Sequence, residues 1–289
     1  MSIQMKSREL RITEDDLKGG IHKRLEYLKT VIGDQPALHF NEEIVTFAEL
    51  ESRANQLAHH IQLQTNCTRI ATIFTDEVMV VVAIFAIMKL GRTWIPMSAG
   101  LPKEFVIRHL NHFGDSVLLL ETDTADKIKP SDKISVINVA EMPVYENIPQ
   151  YSHDAQDDDV SFILITSGST GTPKSIPTLY RKVIPNLIDR AKLTPPGAPV
   201  LTSWGMINGV NIWIMLYTIC QGGIVHRVDL TRYSIQEIHQ RIREHRIESN
   251  CANCPNYWQY VCFRLSGWGW DVGNQFANKE KTVREPDRH

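Results

Sequence analysis

The chain has 289 residues, 43% hydrophobic and 22% charged, with a formal net charge of −2. That length can bury a sizeable core or support two lobes, and the balance is that of an ordinary globular protein. So small a charge excludes a strong field for nucleic acid or an anionic membrane surface.

The opening "MSIQMKSREL" has no apolar core, so no signal peptide is expected, and residues 1–19 read as an N-terminal extension. "EEIVTFAELESRANQLAHHI" begins as a short strand and becomes a helix. Thr46 and Glu49 make a capping box there, and Leu50, Ala54, Leu57, Ala58 and Ile61 share one helical face. "RIATIF" reads as a strand and "EVMVVVAIFAIMKLG" as a buried helix stopped by Gly91. Its apolar run, Val78 to Met88, is too short to span a bilayer, so no membrane span is expected. "TWIPM" is a strand, "KEFVIRHLNHFG" a helix ending at Gly114, and "SVLLLE" and "ISVINV" are strands. A polar stretch from Gln150 to Asp159 leads into the strand "VSFILIT". Alternating strands and helices predict an α/β protein with mostly parallel sheets flanked by helices.

Further on, "TLYRKVIPNLIDRAK" predicts a helix interrupted or kinked near Pro185, and "TPPGAP" a loop at a lobe boundary. An apolar helix from Val210 to Cys220, the turn "QGG" and the strand "IVHRV" follow. Ser234 and Glu237 cap another helix, with Ile235, Ile238 and Ile242 on one face. From Ser266 onward the sequence loses periodicity and reads as an unfamiliar tail, 266–289.

Five cysteines, an odd count without a disulfide framework, suggest a reducing cytoplasm. Cys251 and Cys254 form one CxxC, but a structural zinc site needs two more ligands. Cys262 and His245 lie nearby at no familiar spacing, and the eleven histidines form no HxxxH or HExxH pattern. Buried thiols are the default reading, and no metal site is expected.

The most informative segment is "ILITSGSTGTPKSIP", Ile163 to Pro177, where a strand opens into a loop of hydroxyls, glycines and one cation. Gly168 and Gly171 let backbone N–H groups approach phosphate oxygens, and Thr166, Ser167, Ser169, Thr170 and Thr172 offer hydroxyls. Lys174 adds a point charge suited to a pyrophosphate. A Walker A loop would need Gly before the lysine, where Pro173 stands. Composition alone leaves a surface Ser/Gly loop as the alternative.

"ITSGSTGTPKS" resembles the phosphate-loop signature of the AMP-forming acyl- and aryl-CoA synthetase superfamily, which includes nonribosomal peptide synthetase adenylation domains and luciferases. "ALHFNEEIVTFAELESRANQLAHHI" and "AIMKLGRTWIPMSAGLPKEFVIRHLNHFGDSVLLLE" resemble earlier segments of that family in the same order, so the likeness runs over about residues 20 to 262. The resemblance implies activation of a carboxylic acid with ATP to an acyl-adenylate, then transfer to coenzyme A or a carrier-protein thiol. Thr166 to Lys174 would hold the β- and γ-phosphates, with Mg2+ carried by the nucleotide. It also implies that residues 20–65 join 196–265 as a second lobe, while 66–195 form the first.

Several residues depart from the family pattern. Ser175 stands where Gly is usual, Leu179, Tyr180 and Arg181 stand for Thr-His-Arg, and Pro177 sits in a strand. Gly209, in "NGVN", takes the place of the aspartate that amino-acid-activating members present to the substrate amine. Trp204, Asn208 and Gly209 are therefore candidate walls of an acyl- or aryl-acid pocket, although Trp204, Met206, Ile207 and Trp213 suit plain core equally. The family's Tyr-Gly-x-Thr-Glu and Thr-Gly-Asp motifs and its C-terminal lysine domain are not found. The expectation is a truncated form, inactive without a complementing C-terminal fragment, and no catalytic residue is assigned. The alternative is a non-enzymatic remnant or interaction protein that keeps the fold.

Overall fold

The computed structural model describes residues 9–114, 116–121, 135–166, 174–202, 205–207, 209–229, 232–247 and 249–250. The chain divides into Met1–Asn250 and Cys251–His289, and all described residues belong to the first unit. In chain order the elements begin with α1 (Glu14–Leu17), α2 (Ile21–Ile32), β1 (Pro36–Phe40), β2 (Glu43–Thr46), α3 (Phe47–Gln64) and β3 (Arg69–Ile73). Next are α4 (Glu77–Lys89), β4 (Thr93–Pro96), α5 (Lys103–Phe113), β5 (Ser116–Leu120), β6 (Ser135–Asn138), β7 (Val160–Thr166) and β8 (Lys174–Leu179). The last are α6 (Tyr180–Ala191), β9 (Val200–Thr202), α7 (Gly209–Cys220), β10 (Val225–Arg227), α8 (Ile235–Glu244) and β11 (Ser249–Asn250).

The expected α/β architecture is present as two sheets. One has the order β6-β5-β3-β4-β7-β8, parallel except for β8. The other has the order β11-β9-β10-β1-β2, parallel except for β2. The first encloses Ala71, Ile73, Ile95, Leu118, Leu120 and Ile163 in its core.

Local chemistry explains the helix starts. Thr46 Oγ1 accepts from the Glu49 N–H at 3.2 Å, and Glu49 Oε2 accepts from the Thr46 N–H at 2.8 Å. Leu50, Ala54, Leu57, Ala58 and Ile61 then lie buried on one face of α3. Ser234 and Glu237 repeat the same box at α8. Asp76 caps α4 by accepting from the Val78 N–H at 2.8 Å. This helix is apolar on all sides because it packs against α2, α3 and strands of both sheets. Gly91, at φ 65°, takes the left-handed turn that ends it.

Proline behaves differently from the sequence expectation. α6 runs without interruption through Pro185. Pro185 is exposed, while Tyr180, Val183, Leu187 and Ala191 are buried on the face that packs on α7, so tertiary packing outweighs the lost N–H. Thr178 and Leu179, expected to begin this helix, end β8 instead. Pro177 lies in β8 opposite Ile163, and β8 is the sheet's edge strand, where proline is tolerated.

The polar stretch Gln150–Asp159 is fastened along the helices. Gln150 Nε2 donates to Glu51 Oε1 at 2.7 Å, the Tyr151 N–H to Asn55 Oδ1 at 2.9 Å, and Ser152 Oγ to Glu26 Oε2 at 2.9 Å. The His153 and Ala155 N–H groups donate to the carbonyls of Lys89 and Gly19. Beneath this strap lies Lys89, fully buried. Its Nζ is 2.5 Å from Glu26 Oε1 and 2.9 Å from Glu51 Oε1, and it donates to the Tyr151 carbonyl at 3.1 Å. Lys29 reaches the other oxygen of Glu51.

Removing one partner of such a buried cluster strands the others. Lys89→Met should destabilise the protein by about 3 kcal/mol, read as a lower urea midpoint. Burial pushes the Glu51 carboxyl up, but hydrogen bonds from Lys29, Gln150 and Lys89 outweigh it and hold the group below its ordinary 4.5. Its contribution is therefore complete above that value and lost as pH falls through the depressed one. The acid loss of stability should be shallower in Glu51→Gln, and an unchanged acid slope would remove Glu51 from the account.

Candidate functional site

β7 and β8 form a hairpin whose register pairs Leu164 with Ile176, Ile165 with Ser175 and Thr166 with Lys174. The first and last residues of the phosphate-loop signature thus face each other across the hairpin mouth. Ser167, Gly168, Ser169, Thr170, Gly171 and Thr172 lie outside the described residues, as do Trp204 and Asn208.

Sheet order explains why a ligand would sit at this end. The chain leaves β4 toward β5 and leaves β7 toward β8, in opposite directions, although β4 and β7 are neighbours. The same divergence occurs between β5 and β3. Such switch points open a crevice beyond the C-terminal ends of parallel strands. The hairpin mouth stands at the first of them.

Gly209 begins α7 beside β7. A Cβ placed on it would lie 3.6 Å from Leu164 Cδ1, an ordinary contact, so a side chain is sterically admissible there. The turn before it is held from two sides. Asn211, buried, accepts from Thr202 Oγ1 at 2.7 Å and donates to the Gly205 carbonyl at 3.2 Å. The Met206 N–H donates to Glu77 Oε1 at 3.3 Å. Arg227 Nε stands 2.8 Å from Glu77 Oε2 as an ion pair, without the alignment of a hydrogen bond. Glu77, at the head of α4, therefore joins β10 of one sheet to the switch-point end of the other.

The apolar candidates divide. Met206 is buried, and Ile207 is half-buried. Trp213 packs edge-on against Phe162 with centroids 5.6 Å apart and lies under the Arg190 guanidinium at 5.8 Å, which gives it a structural task.

Among the described residues, the carboxylates of Asp76, Glu77 and Glu121 near this end are engaged. Glu121 Oε2 accepts from the Thr75 N–H at 3.0 Å and Thr75 Oγ1 at 2.7 Å. Burial pushes the Asp76 carboxyl up, against the N–H groups of Val78 and Met79, and Glu121 and Glu43 push it further. Asp76 caps α4 and Glu77 is paired with Arg227, so both carboxylates already serve the fold.

Sequence spacing missed these contacts, because Glu77, Asn211 and Arg227 belong to no local pattern. It also missed a cluster elsewhere, in which His39, His226 and His245 come together. Of the cysteines, Cys220 is buried and its thiol pushed up to about 12 by burial, while Cys67 is half-buried. Cys251, Cys254 and Cys262 lie outside the described residues.

The profile of the AMP-binding enzyme family matches residues 29–262. A linear gramicidin synthase of Brevibacillus parabrevis is 25% identical over 238 residues, covering 80% of this chain and 5% of that protein. Malpinin synthetase of Mortierella alpina is 28% identical over 171 residues, covering 57% of this chain and 2% of that protein. Among solved structures, o-succinylbenzoate coenzyme A synthetase (MenE) from Bacillus subtilis, in complex with AMP, is similar with a TM-score of 0.66 at 20% identity. That likeness covers 78% of this chain and 60% of MenE. The nonribosomal peptide synthetase FmoA3 is similar with a TM-score of 0.65 at 16% identity, over 84% of this chain and 27% of FmoA3. MenE has also been solved in complex with ATP and a magnesium ion. At these identities the structural likeness establishes the fold, and the chain spans a small part of the curated relatives it matches.

Asn211→Ala would leave the Thr202 hydroxyl and the Gly205 carbonyl without this partner. It should cost about 1–3 kcal/mol by urea denaturation, and Asn211→Asp, which keeps only the acceptor, should recover part of that. Wild-type stability in Asn211→Ala would show that the turn does not depend on Asn211.

Proposed function

The chain belongs to the AMP-binding enzyme family, and from that premise we propose that it serves ATP-dependent activation of a carboxylic acid. The observation that carries this reading is the hairpin mouth at Thr166 and Lys174, set at a switch point of a parallel sheet. In the reaction a carboxylate oxygen attacks the α-phosphorus, the bond to the bridging oxygen of the β-phosphate breaks, and pyrophosphate leaves with the negative charge. Thr166, Ser167, Gly168, Ser169, Thr170, Gly171, Thr172 and Lys174 hold the β- and γ-phosphates through N–H groups, hydroxyls and one ammonium. Thr166 to Lys174 would hold the nucleotide with magnesium on its phosphates, and that ion would offset part of their charge. A thiol of coenzyme A or a carrier protein then takes the acyl group and AMP departs.

The acid is one without an α-ammonium. Gly209 supplies no carboxylate at the head of α7, and an ammonium buried there would lack a partner. Trp204, Asn208 and Gly209 line the acid side. The two sheets act as two lobes, 66–195 carrying the phosphates and 20–65 with 196–265 carrying the acid, in a reducing cytoplasm. No helix among the described residues is long and apolar enough to cross a membrane. Groups for the ribose and for acyl transfer come from polypeptide corresponding to the remainder of the longer relatives, as a complementing C-terminal fragment would supply.

Titration calorimetry with magnesium and ATP tests the phosphate loop. Lys174→Ala should weaken binding by on the order of tenfold to a hundredfold, the worth of one charged hydrogen bond, with an unchanged melting temperature. Equal affinity in both proteins would discard the assignment and favour an interaction protein. Thermal shift in the presence of magnesium and ATP tests the acid. Aliphatic or aromatic acids should add stabilisation that α-amino acids do not, and the reverse order would overturn the role given to Gly209.

A further inference from the structure

Three histidines far apart in sequence converge on the second sheet. The parallel register of β1 and β10 sets His39 directly beside His226, on the same face. α8 crosses that face, with Ile238 packed on Leu201, Val228 and Ile247, and His245 follows its last residue. The ring centroids of His39 and His226 are 5.2 Å apart, those of His39 and His245 5.0 Å, and those of His226 and His245 4.5 Å. One ring nitrogen from each lies within 4.8 Å of the other two.

We propose that His39, His226 and His245 form a binding site for a divalent transition-metal cation of the zinc type, separate from the nucleotide site, with water completing the coordination. Tetrahedral zinc with nitrogen ligands holds them about 3.3 Å apart, so rotation of the half-buried His39 and His245 rings onto the buried His226 closes the set.

Four features favour a cation here. None of the three rings shares a hydrogen bond with another described residue, so polar atoms in a partly desolvated place are left to a ligand. The surroundings of His226 and His39 favour the neutral imidazole, the form that ligates metal. Burial first, then the neighbouring histidines and Arg241, lowers His226 to about 3, and burial, His245 and Arg241 lower His39 against Glu42. The C-terminal end of α8, which His245 caps, contributes partial negative charge. The positive charge of Arg241, which acts on His39 and His226, is offset. Arg241 pairs with Glu42 at 2.8 Å, donates to the Asn41 carbonyl at 3.2 Å, and stacks on Tyr233 at 4.4 Å.

The cluster lies on the face of β10 opposite the Arg227–Glu77 pair. His226 and Arg227 are consecutive in β10 and point to opposite sides, and Arg227 pairs with Glu77 of α4. The metal therefore acts as a cross-link of β1, β10 and the end of α8.

The test uses the full chain, free of any affinity tag, titrated with Zn2+ by calorimetry and with Co2+ by visible absorption. Cys251→Ser/Cys254→Ser serves as the control for thiolate binding. The expected result is one cation per chain, a rise in melting temperature with Zn2+, and both kept in the cysteine control. His39→Ala and His245→Ala, half-buried and so less prone to misfold than a change at His226, should each weaken Zn2+ binding by more than about a hundredfold and abolish the thermal shift. Absence of binding, binding lost in the cysteine control, or binding kept in both histidine variants would overturn the assignment.

Discussion

The buried ammonium of Lys89 sets the constraint on which the rest of the molecule depends. It sits at the C-terminal end of α4 and takes Glu26 from α2 and Glu51 from α3, so three helices have one admissible register at their crossing. Burying these charges gains little over an apolar core of the same volume, but breaking the set is costly, and such clusters act by excluding alternatives. α4 spans about 20 Å. Its far end carries Asp76 as cap and Glu77 as the partner of Arg227 and Met206. The charge cluster at one end of the helix therefore decides where the switch-point crevice lies at the other.

The same cluster explains the strap from Gln150 to Asp159. Read as composition, the segment is a polar linker. In the fold its polarity is consumed by Glu51, Asn55, Glu26 and the Lys89 carbonyl. The strap covers polar groups at a helix crossing that apolar side chains would leave unsatisfied. It then delivers the chain to β7, so the strand that leads into the phosphate loop starts from an anchored point.

Where the decisive chemistry is local, it was legible in the sequence. The boxes at Thr46 and Glu49 and at Ser234 and Glu237 fix helix starts within four residues, and the run Val78–Met88 can only be a buried helix. α2 was not read, because Arg24, His22 and Glu26 turn inward to partners more than a hundred residues away or on other elements. β9, three residues long, is too short for any period to register. The unbroken helix through Pro185 follows from packing on α7, which no local signal carries. At the candidate site the hydroxyl-rich loop announced itself by composition. Glu77, Asn211 and Arg227 did not, since their roles exist only once both sheets are in place.

β10 concentrates this dependence in three residues. Its side chains alternate, so His226 faces α8 and the other two histidines while Arg227 faces α4 and the crevice. A slip of one residue against β1 would turn the arginine toward the imidazoles and the histidine toward Glu77, burying a guanidinium without its carboxylate beside the ring cluster. The register is fixed on both faces at once, by Glu77 on one and by the packing of α8 on the other. Any change that loosens one face is thereby felt at the other, through a strand with no room to shift.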